Sequence, residues 1–293
     1  MTARLPWPLA YTVTGDDCAT PMPLGYEAPL TEAVGHLGEL GYDGVEVQVR
    51  DTGAHAAEAL ARTVEAAGLK VLGIGTGPVA AQDRLTLTDP SPDVRRHALF
   101  RLLGAARLAG ELGVPVTLGQ TRGTFLPGLE DLQRIWAGRA VEHLAEEASA
   151  RGSRLLLEPQ SRVSTSLWHT PAQALAVIDL LGTPAGLVLD THHLDAEGID
   201  VTQAVAQHAR VTGCLQLAAP ATRGPLALGD PRLPSLLQAL HAGGFTGWLT
   251  LEHTQDGDSP KAAARSWTAL TDAAAVLARP DSPLSPMSTT SPF

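Results

Sequence analysis

Gly186-Leu187-Val188-Leu189-Asp190-Thr191-His192-His193 is the stretch on which the reading of the fold turns. A short apolar run leads straight into a carboxylate, and histidines follow. Such a run reads as a strand buried on both faces. An unpaired buried charge is very costly, so an Asp at the carboxyl end of that strand asks for a partner. Other runs end the same way. Leu155-Leu156-Leu157 ends in Glu158, Cys214-Leu215 runs into Gln216, and Trp248-Leu249-Thr250-Leu251 ends in Glu252. The separations are 32 residues (158 to 190), 26 (190 to 216) and 36 (216 to 252). Each is close to one strand-plus-helix unit, since a barrel of roughly 250 residues holds eight such units. Oxygen-bearing side chains at the same end of successive parallel strands would converge on one point.

Outward from this stretch the punctuation is regular. Helices are expected to open at Ser91-Pro92, Thr170-Pro171, Asp230-Pro231 and Ser259-Pro260, where a capping side chain precedes a proline suited to the first turn. They are expected to close on Gly41, Gly68, Gly113, Gly152, Gly182 and Gly243, since glycine takes the left-handed conformation at low cost. Strands are expected at 9–14, 44–49, 70–75 and 114–119, ahead of the strands that end in Glu158, Asp190, Gln216 and Glu252. Helices are expected near 28–40, 55–67, from Ser91, 129–151 and 260–278. Gly41-Tyr42-Asp43-Gly44-Val45 is echoed by Gly244-Phe245-Thr246-Gly247-Trp248, as repetition of one supersecondary unit would give.

The alternation predicts one α/β domain, a single (β/α)8 TIM barrel, over residues 1–278. A doubly wound open sheet is the competing fold. It would more often carry a glycine fingerprint after its first strand, which is missing there. Gly73-x-Gly75-x-Gly77 lacks the full spacing. Residues 279–293 are rich in Pro, Ser and Thr and read as a flexible tail.

Composition bounds the partners. A net charge of −10 argues against nucleic acid and anionic membrane, both of which need a basic footprint. No apolar run approaches the roughly 20 residues that span a membrane. The chain has 2 cysteines, Cys18 and Cys214, which suits a reducing compartment. With no secretion signal at the N-terminus, a cytoplasmic protein is expected.

In a barrel of this kind the active site lies at the carboxyl ends of the strands, where Glu158, Asp190, Gln216 and Glu252 fall. Carboxylates with an amide oxygen form a hard-oxygen set that favours Mg²⁺ or Mn²⁺ over zinc. A divalent cation would also explain why charges end buried strands. Capping of the next helix, or an ion pair on the barrel rim, accounts for any one of the acids alone but poorly for the whole series.

The motifs resemble the xylose isomerase-like TIM barrels, the group of sugar isomerases and epimerases. The resemblance runs from Gly41-Tyr42-Asp43-Gly44-Val45-Glu46 to Glu252. Leu157-Glu158-Pro159-Gln160-Ser161-Arg162 is similar to a Glu-Pro-x-Asn-Arg stretch, with Ser161 where Asn is usual. Asp190-Thr191-His192-His193 resembles an Asp-x-x-His motif, and Gly247 to Glu252 a closing Gly-Trp-x-x-x-Glu. Ketose epimerases typically carry His where this chain has Gln216. Gln there is similar to the hydroxypyruvate isomerase branch, as are Arg223 and Gly229-Asp230 beyond it; it also occurs in the 3-dehydroshikimate dehydratase branch.

The resemblance implies a metal held by Glu158, Asp190, Gln216 and Glu252, with Glu158 and Glu252 doubling as acid and base. The metal would polarise a carbonyl and an adjacent hydroxyl. One Glu would take a proton from the neighbouring carbon, giving an enediolate, and the other would return one. His193 would hydrogen-bond a substrate oxygen. Arg223, in the loop after the seventh strand, suits a hydroxyl, carboxylate or phosphate. Arg122 is a weaker candidate of the same kind. His192 reads as structural, Glu46 as a hydrogen-bonding or rim residue, and Cys214 as a small core residue. The expected substrate is a small sugar or keto acid, and a homo-oligomer is compatible with the resemblance.

The same enediolate could expel a β-hydroxyl, so a dehydratase of an inosose or dehydroshikimate stays open beside the isomerase or epimerase. A DNA-repair endonuclease on this barrel needs a His-rich cluster that this chain lacks. A non-catalytic sugar-binding barrel would have no need of the paired glutamates.

Overall fold

The computed structural model describes residues 4–53 and 56–277. The tail expected over 279–293 lies outside the described residues, as do position 55 and position 278 at the ends of two expected helices. The strands are β1 Leu9–Thr14, β2 Gly44–Gln48, β3 Lys70–Gly75, β4 Val116–Leu118, β5 Leu155–Leu157, β6 Ala185–Asp190, β7 Thr212–Leu217 and β8 Trp248–Leu251. They pair in parallel in chain order, and β8 returns to β1 to close the barrel. The open doubly wound sheet is therefore excluded. The helices are α1 Leu30–Leu40, α2 Ala56–Ala66, α3 Gly77–Ala81, α4 Pro92–Leu112, α5 Glu130–Ala150, α6 Pro171–Ile178, α7 Thr191–Ala196, α8 Val201–His208, α9 Arg232–Gly243 and α10 Ser259–Leu277. The short α3, α7 and α8 were not expected; α7 begins directly at the end of β6. Strand β4 is shorter than expected, because Pro115 has no N–H to donate and Gly119 leaves the extended conformation.

Closure buries both faces of the strands, apart from the start of β3, and alternate residues divide the work. One set, including Tyr11, Val45, Leu157, Leu189, Leu215 and Leu249, joins the large core shared with the helices. The other set faces the barrel axis, where Ala10, Leu156, Val188, Cys214 and Trp248 form a separate cluster. Two residues further along the same strands stand Thr12, Glu158, Asp190, Gln216 and Thr250, so the axis changes from apolar to polar toward the carboxyl ends. Gly73 belongs to this packing: a Cβ there would come within 2.9 Å of the Trp248 ring. Fit to the Trp248 ring, which reaches across the axis from β8, and not a phosphate loop, thus accounts for a glycine of the 73–77 run.

The helix ends follow their signals in part: Ser91 precedes α4 without a side-chain capping bond, and Ser259 is the first residue of α10, its hydroxyl accepting the Glu27 N–H at 3.0 Å. Thr170 makes a reciprocal capping box with Gln173. Gly41 and Gly113 close α1 and α4 at positive φ. Gly243 is instead the last residue of α9, and Gly244 is its left-handed cap at φ 75°. Gly182 lacks the positive φ expected of a cap. Helix α9 starts at Arg232, one residue past Pro231, and the Asp230 carboxylate accepts the Arg232 N–H at 3.0 Å. The echoed segments share a structure. The N–H of Tyr42 closes onto Leu37 O at 3.1 Å, and that of Phe245 onto Leu240 O at 3.0 Å.

Two glycine substitutions should act in opposite directions. Gly73→Ala should destabilise the protein by about 1–3 kcal/mol through overpacking against Trp248. Gly138→Ala, in α5 with no atom within 4 Å of the added Cβ, should stabilise it by about 0.5–1 kcal/mol. Urea denaturation of both variants checks the pair; equal effects would contradict the packing described.

Candidate active site

A cavity of about 180 Å³ opens at the carboxyl ends of the strands and is lined in part by Thr12, Gln48, Glu158, Gln216, Arg223 and Glu252. Arg223 reaches it from the loop after β7, and the strand pleat places the others, with Asp190 buried beside them. Glu158 directly follows β5, Asp190 ends β6, Gln216 lies within β7, and Glu252 directly follows β8. Asp190 and Gln216 are register partners on adjacent strands. Asp190 also starts α7, where its Oδ1 accepts the His192 N–H at 2.8 Å, leaving Oδ2 for the site. Gly119 keeps the β4 end flat: a Cβ there would overlap the Glu158 carboxylate and the Gln160 amide.

One arginine ties the acids together. Nη2 of Arg223 donates to Asp190 Oδ2 and to Glu252 Oε2, each at 2.9 Å. Its backbone sits at φ 52°, a costly value for a non-glycine residue. The loop holds it there: the Arg223 N–H donates to Ala219 O at 3.0 Å, and Arg223 O accepts from Thr254 N at 2.9 Å. Arg223 is therefore in the site, bound to two of the expected metal ligands.

His193 stands between Glu158 and Asp190. Its Nε2 is 3.5 Å from Glu158 Oε1 and 3.7 Å from Asp190 Oδ2, and its Nδ1 is 3.2 Å from Ser161 Oγ. Burial pushes the imidazole down to about 4, against the pull of Asp190. The ring is neutral at pH 7. Glu158, Asp190 and His193 each bring a donor atom within 4.8 Å of the others, so this buried group could hold a metal ion.

The carboxylates are perturbed in the opposite sense. Burial first, then the charge of Asp190, pushes Glu158 up to about 8, although the Gln160 amide donates to it at 2.8 Å. Glu252 is raised well above the usual carboxylate range by burial, with Arg223 opposing. Glu46 is fully buried and rises to about 7, chiefly by desolvation. Glu158 Oε1 and Gln216 Oε1 are buried with no hydrogen-bond partner. Clustered acids and orphaned oxygens around one bound guanidinium form a donor set that fits a hard divalent cation.

Several residues escaped the sequence reading. Of the two roles expected of Glu46 the hydrogen-bonding one holds, since it accepts from Gln216 Nε2 at 3.2 Å, but its place is the axial polar layer and not the rim. Gln48 lines the cavity two residues on, and Gln160 holds Glu158 from two residues beyond it. The period-2 rule applied from Glu46 and Glu158 would have pointed to both. Arg122, expected as a weaker substrate contact, is fully buried and is not among the cavity-lining residues. Its Nε donates to Gly119 O at 2.9 Å and Nη1 to Trp168 O at 3.4 Å. Burial lowers it to about 10. His192 is half-buried, with its ring tilted against His193. Cys214 is a buried free thiol of the axial cluster, as expected. No helix among the described residues is long and apolar enough to cross a membrane.

This fold and site define a class, a TIM barrel whose axial cavity gathers carboxylates at the strand ends. Within it, the chain belongs to the xylose isomerase-like TIM barrel family, whose model matches residues 35–273. It is 30% identical over 221 residues to a Streptomyces coelicolor protein provisionally named as a hydroxypyruvate isomerase, covering 72% of this chain and 78% of that protein. It is 28% identical over 232 residues to an L-ribulose 3-epimerase of Mesorhizobium japonicum, covering 77% of this chain and 76% of the relative. A D-allulose 3-epimerase structure from Methylomonas sp. superposes with a TM-score of 0.73 at 19% identity, covering 93% of this chain and 100% of that one.

The raised Glu158 carboxyl has a consequence for stability. Its folded pKa lies above the unfolded value, so the native state binds the extra proton. Stability is then highest below the unfolded pKa and declines as pH rises toward about 8. In chelator-treated protein, Glu158→Gln should raise the melting temperature by several degrees at pH 8 and much less at pH 5. Calorimetry at both values checks this; an equal shift at the two would contradict it.

Proposed function

We propose that this chain is a divalent-metal-dependent isomerase or epimerase of a small sugar or hydroxy-keto acid. The reaction is a proton transfer through an enediolate between Glu158 and Glu252. The observation that carries this reading is the pair itself: two glutamates from β5 and β8 face one cavity, both with raised pKa values. Such values bring a carboxylate closer to the basicity that general acid–base work needs near neutral pH. The relatives named as isomerases and epimerases support the same reading.

Glu158, Asp190, Gln216 and Glu252 would hold Mg²⁺ or Mn²⁺. When bound, the cation would supply Lewis-acid polarisation of the substrate carbonyl, making the adjacent C–H more acidic. One glutamate removes that proton. The other returns a proton to the neighbouring carbon for isomerisation, or to the opposite face for epimerisation. His193, neutral and anchored by Ser161, offers a ring nitrogen to a substrate oxygen. Arg223 contributes positive charge beside Asp190 and Glu252 and orients a substrate oxygen. The cavity is smaller than the roughly 300–1,000 Å³ of drug-sized pockets, which fits a small polar substrate.

The test is solvent exchange in heavy water with Mn²⁺ or Mg²⁺, followed by proton NMR over hydroxypyruvate, ketoses with and without phosphate, an inosose and 3-dehydroshikimate. Deuterium should appear beside a carbonyl and be lost on chelation. Glu158→Gln and Glu252→Gln should each lower kcat by about 10²–10⁴-fold. Formation of an unsaturated product with loss of water would identify a dehydratase instead. No exchange with any compound, together with no metal bound by folded protein, would sink the proposal.

A further inference from the structure

Beneath the cavity floor lies a carboxylate that neither the cavity lining nor the acid–base pair uses. Glu46 projects from β2 toward the barrel axis and is 0% exposed. Gln216 Nε2 donates to its Oε1 at 3.2 Å, and the Cys214 thiol lies 3.6 Å from its Oε2. The nearby Thr250 hydroxyl favours the charged form of the carboxylate. The direction of these bonds is set from outside. The Trp248 indole can only donate, and it gives its N–H to Thr250 Oγ1 at 2.8 Å. The Cys214 thiol also reaches Thr250 Oγ1, at 3.4 Å, so the Gln216 amide is the donor that Glu46 does not share with Thr250.

An amide has one accepting end and one donating end. Turned the other way, Gln216 would set its oxygen against the Glu46 oxygen and lose its bond. Held as it is, Gln216 Oε1 is buried with no hydrogen-bond partner, on the wall of the cavity. We propose that Glu46 is a positioning residue that locks the Gln216 amide with its oxygen toward the cavity, so that a neutral side chain serves as a fixed oxygen ligand. Glu46 touches neither cation nor substrate and acts through Gln216. This inference rests on the metal site proposed above.

The experiment is Mn²⁺ binding to the full chain, read as free Mn²⁺ by electron paramagnetic resonance, with circular dichroism to check folding. The unsubstituted protein should bind Mn²⁺ and Glu158→Gln should not. If the unsubstituted protein binds none, the metal-site reading itself fails. With that binding in place, Glu46→Gln should weaken affinity by about 10–100-fold, the usual effect of losing a residue that orients a ligand. The discriminating background is Gln216→Glu, because a carboxylate presents an oxygen whichever way it turns. There, adding Glu46→Gln restores a donor–acceptor pair with the roles exchanged, and affinity should change by less than about threefold.

Glu46→Gln binding Mn²⁺ as well as the unsubstituted protein would overturn the proposal. So would a tenfold loss that persists in the Gln216→Glu background, since Glu46 would then act by its charge or packing, or failure of both Gln216→Glu proteins to bind. If Glu46→Gln alone does not fold, the two Gln216→Glu proteins decide the matter: equal binding supports orientation, and a loss excludes it.

Discussion

The structure depends on one electrostatic constraint, the burial of carboxylates at one end of a closed barrel. Glu46, Asp190 and Glu158 are 0%, 0% and 7% exposed. Moving an isolated carboxylate out of water is costly, and a protein answers by pairing it or by protonating it. This barrel shows both responses. Asp190 and Glu252 share the Arg223 guanidinium and Glu46 accepts the Gln216 amide, while burial still raises Glu252 and pushes Glu158 up to about 8. Arg223 is worth holding at a positive φ because removing it would leave two acids uncompensated.

The strand pleat turns that constraint into an architecture. Since alternate residues share a face, a strand that places Leu156 in the dry axial cluster must place Glu158 on the same axis one step higher. The same holds for Val188 and Asp190, and for Cys214 and Gln216. The apolar lower layer fixes the strands, and the polar upper layer inherits their precision. Trp248 belongs to both layers, its ring filling the space beside Gly73 and its N–H donating to Thr250. Side chains placed by packed strands are held more exactly than side chains on free loops, as a reaction at one carbon centre requires.

Much of this was legible in the sequence, for identifiable reasons. Asp190, Glu158 and Glu252 stood out because a charge closing an apolar run is conspicuous, and Gln216 followed from its place in the series. The strand-helix period gave the barrel. The place of Glu46 was harder to read, because β2 is buried on both faces and its alternation with Val45 and Val47 does not say which face is the axis. The bridge from Arg223 to Asp190 and Glu252 joins residues 33 and 29 positions apart. It depends on loop geometry at Ala219 and Thr254 that no motif encodes. Arg122 misled because an arginine after a strand reads as a substrate contact, whereas its fork reaches the backbone at Gly119 and Trp168.

The neutrality of His193 bears on how the site handles charge. Asp190 and Glu158 beside it would ordinarily hold an imidazolium, yet burial, with Arg223, His192 and Arg122 adding to it, wins and leaves the ring uncharged at pH 7. His193 therefore cannot serve as the counter-ion of the acids around it. With Nδ1 against Ser161, its Nε2 faces Glu158 and Asp190 beyond good hydrogen-bonding range. The positive charge that these carboxylates call for must come from Arg223, from protons, or from a cation. Protons would silence the bases that the proposed chemistry needs, and Arg223 is already shared between Asp190 and Glu252. A metal ion, which the buried group of Glu158, Asp190 and His193 could hold, would let Glu158 lose its proton while it stays buried.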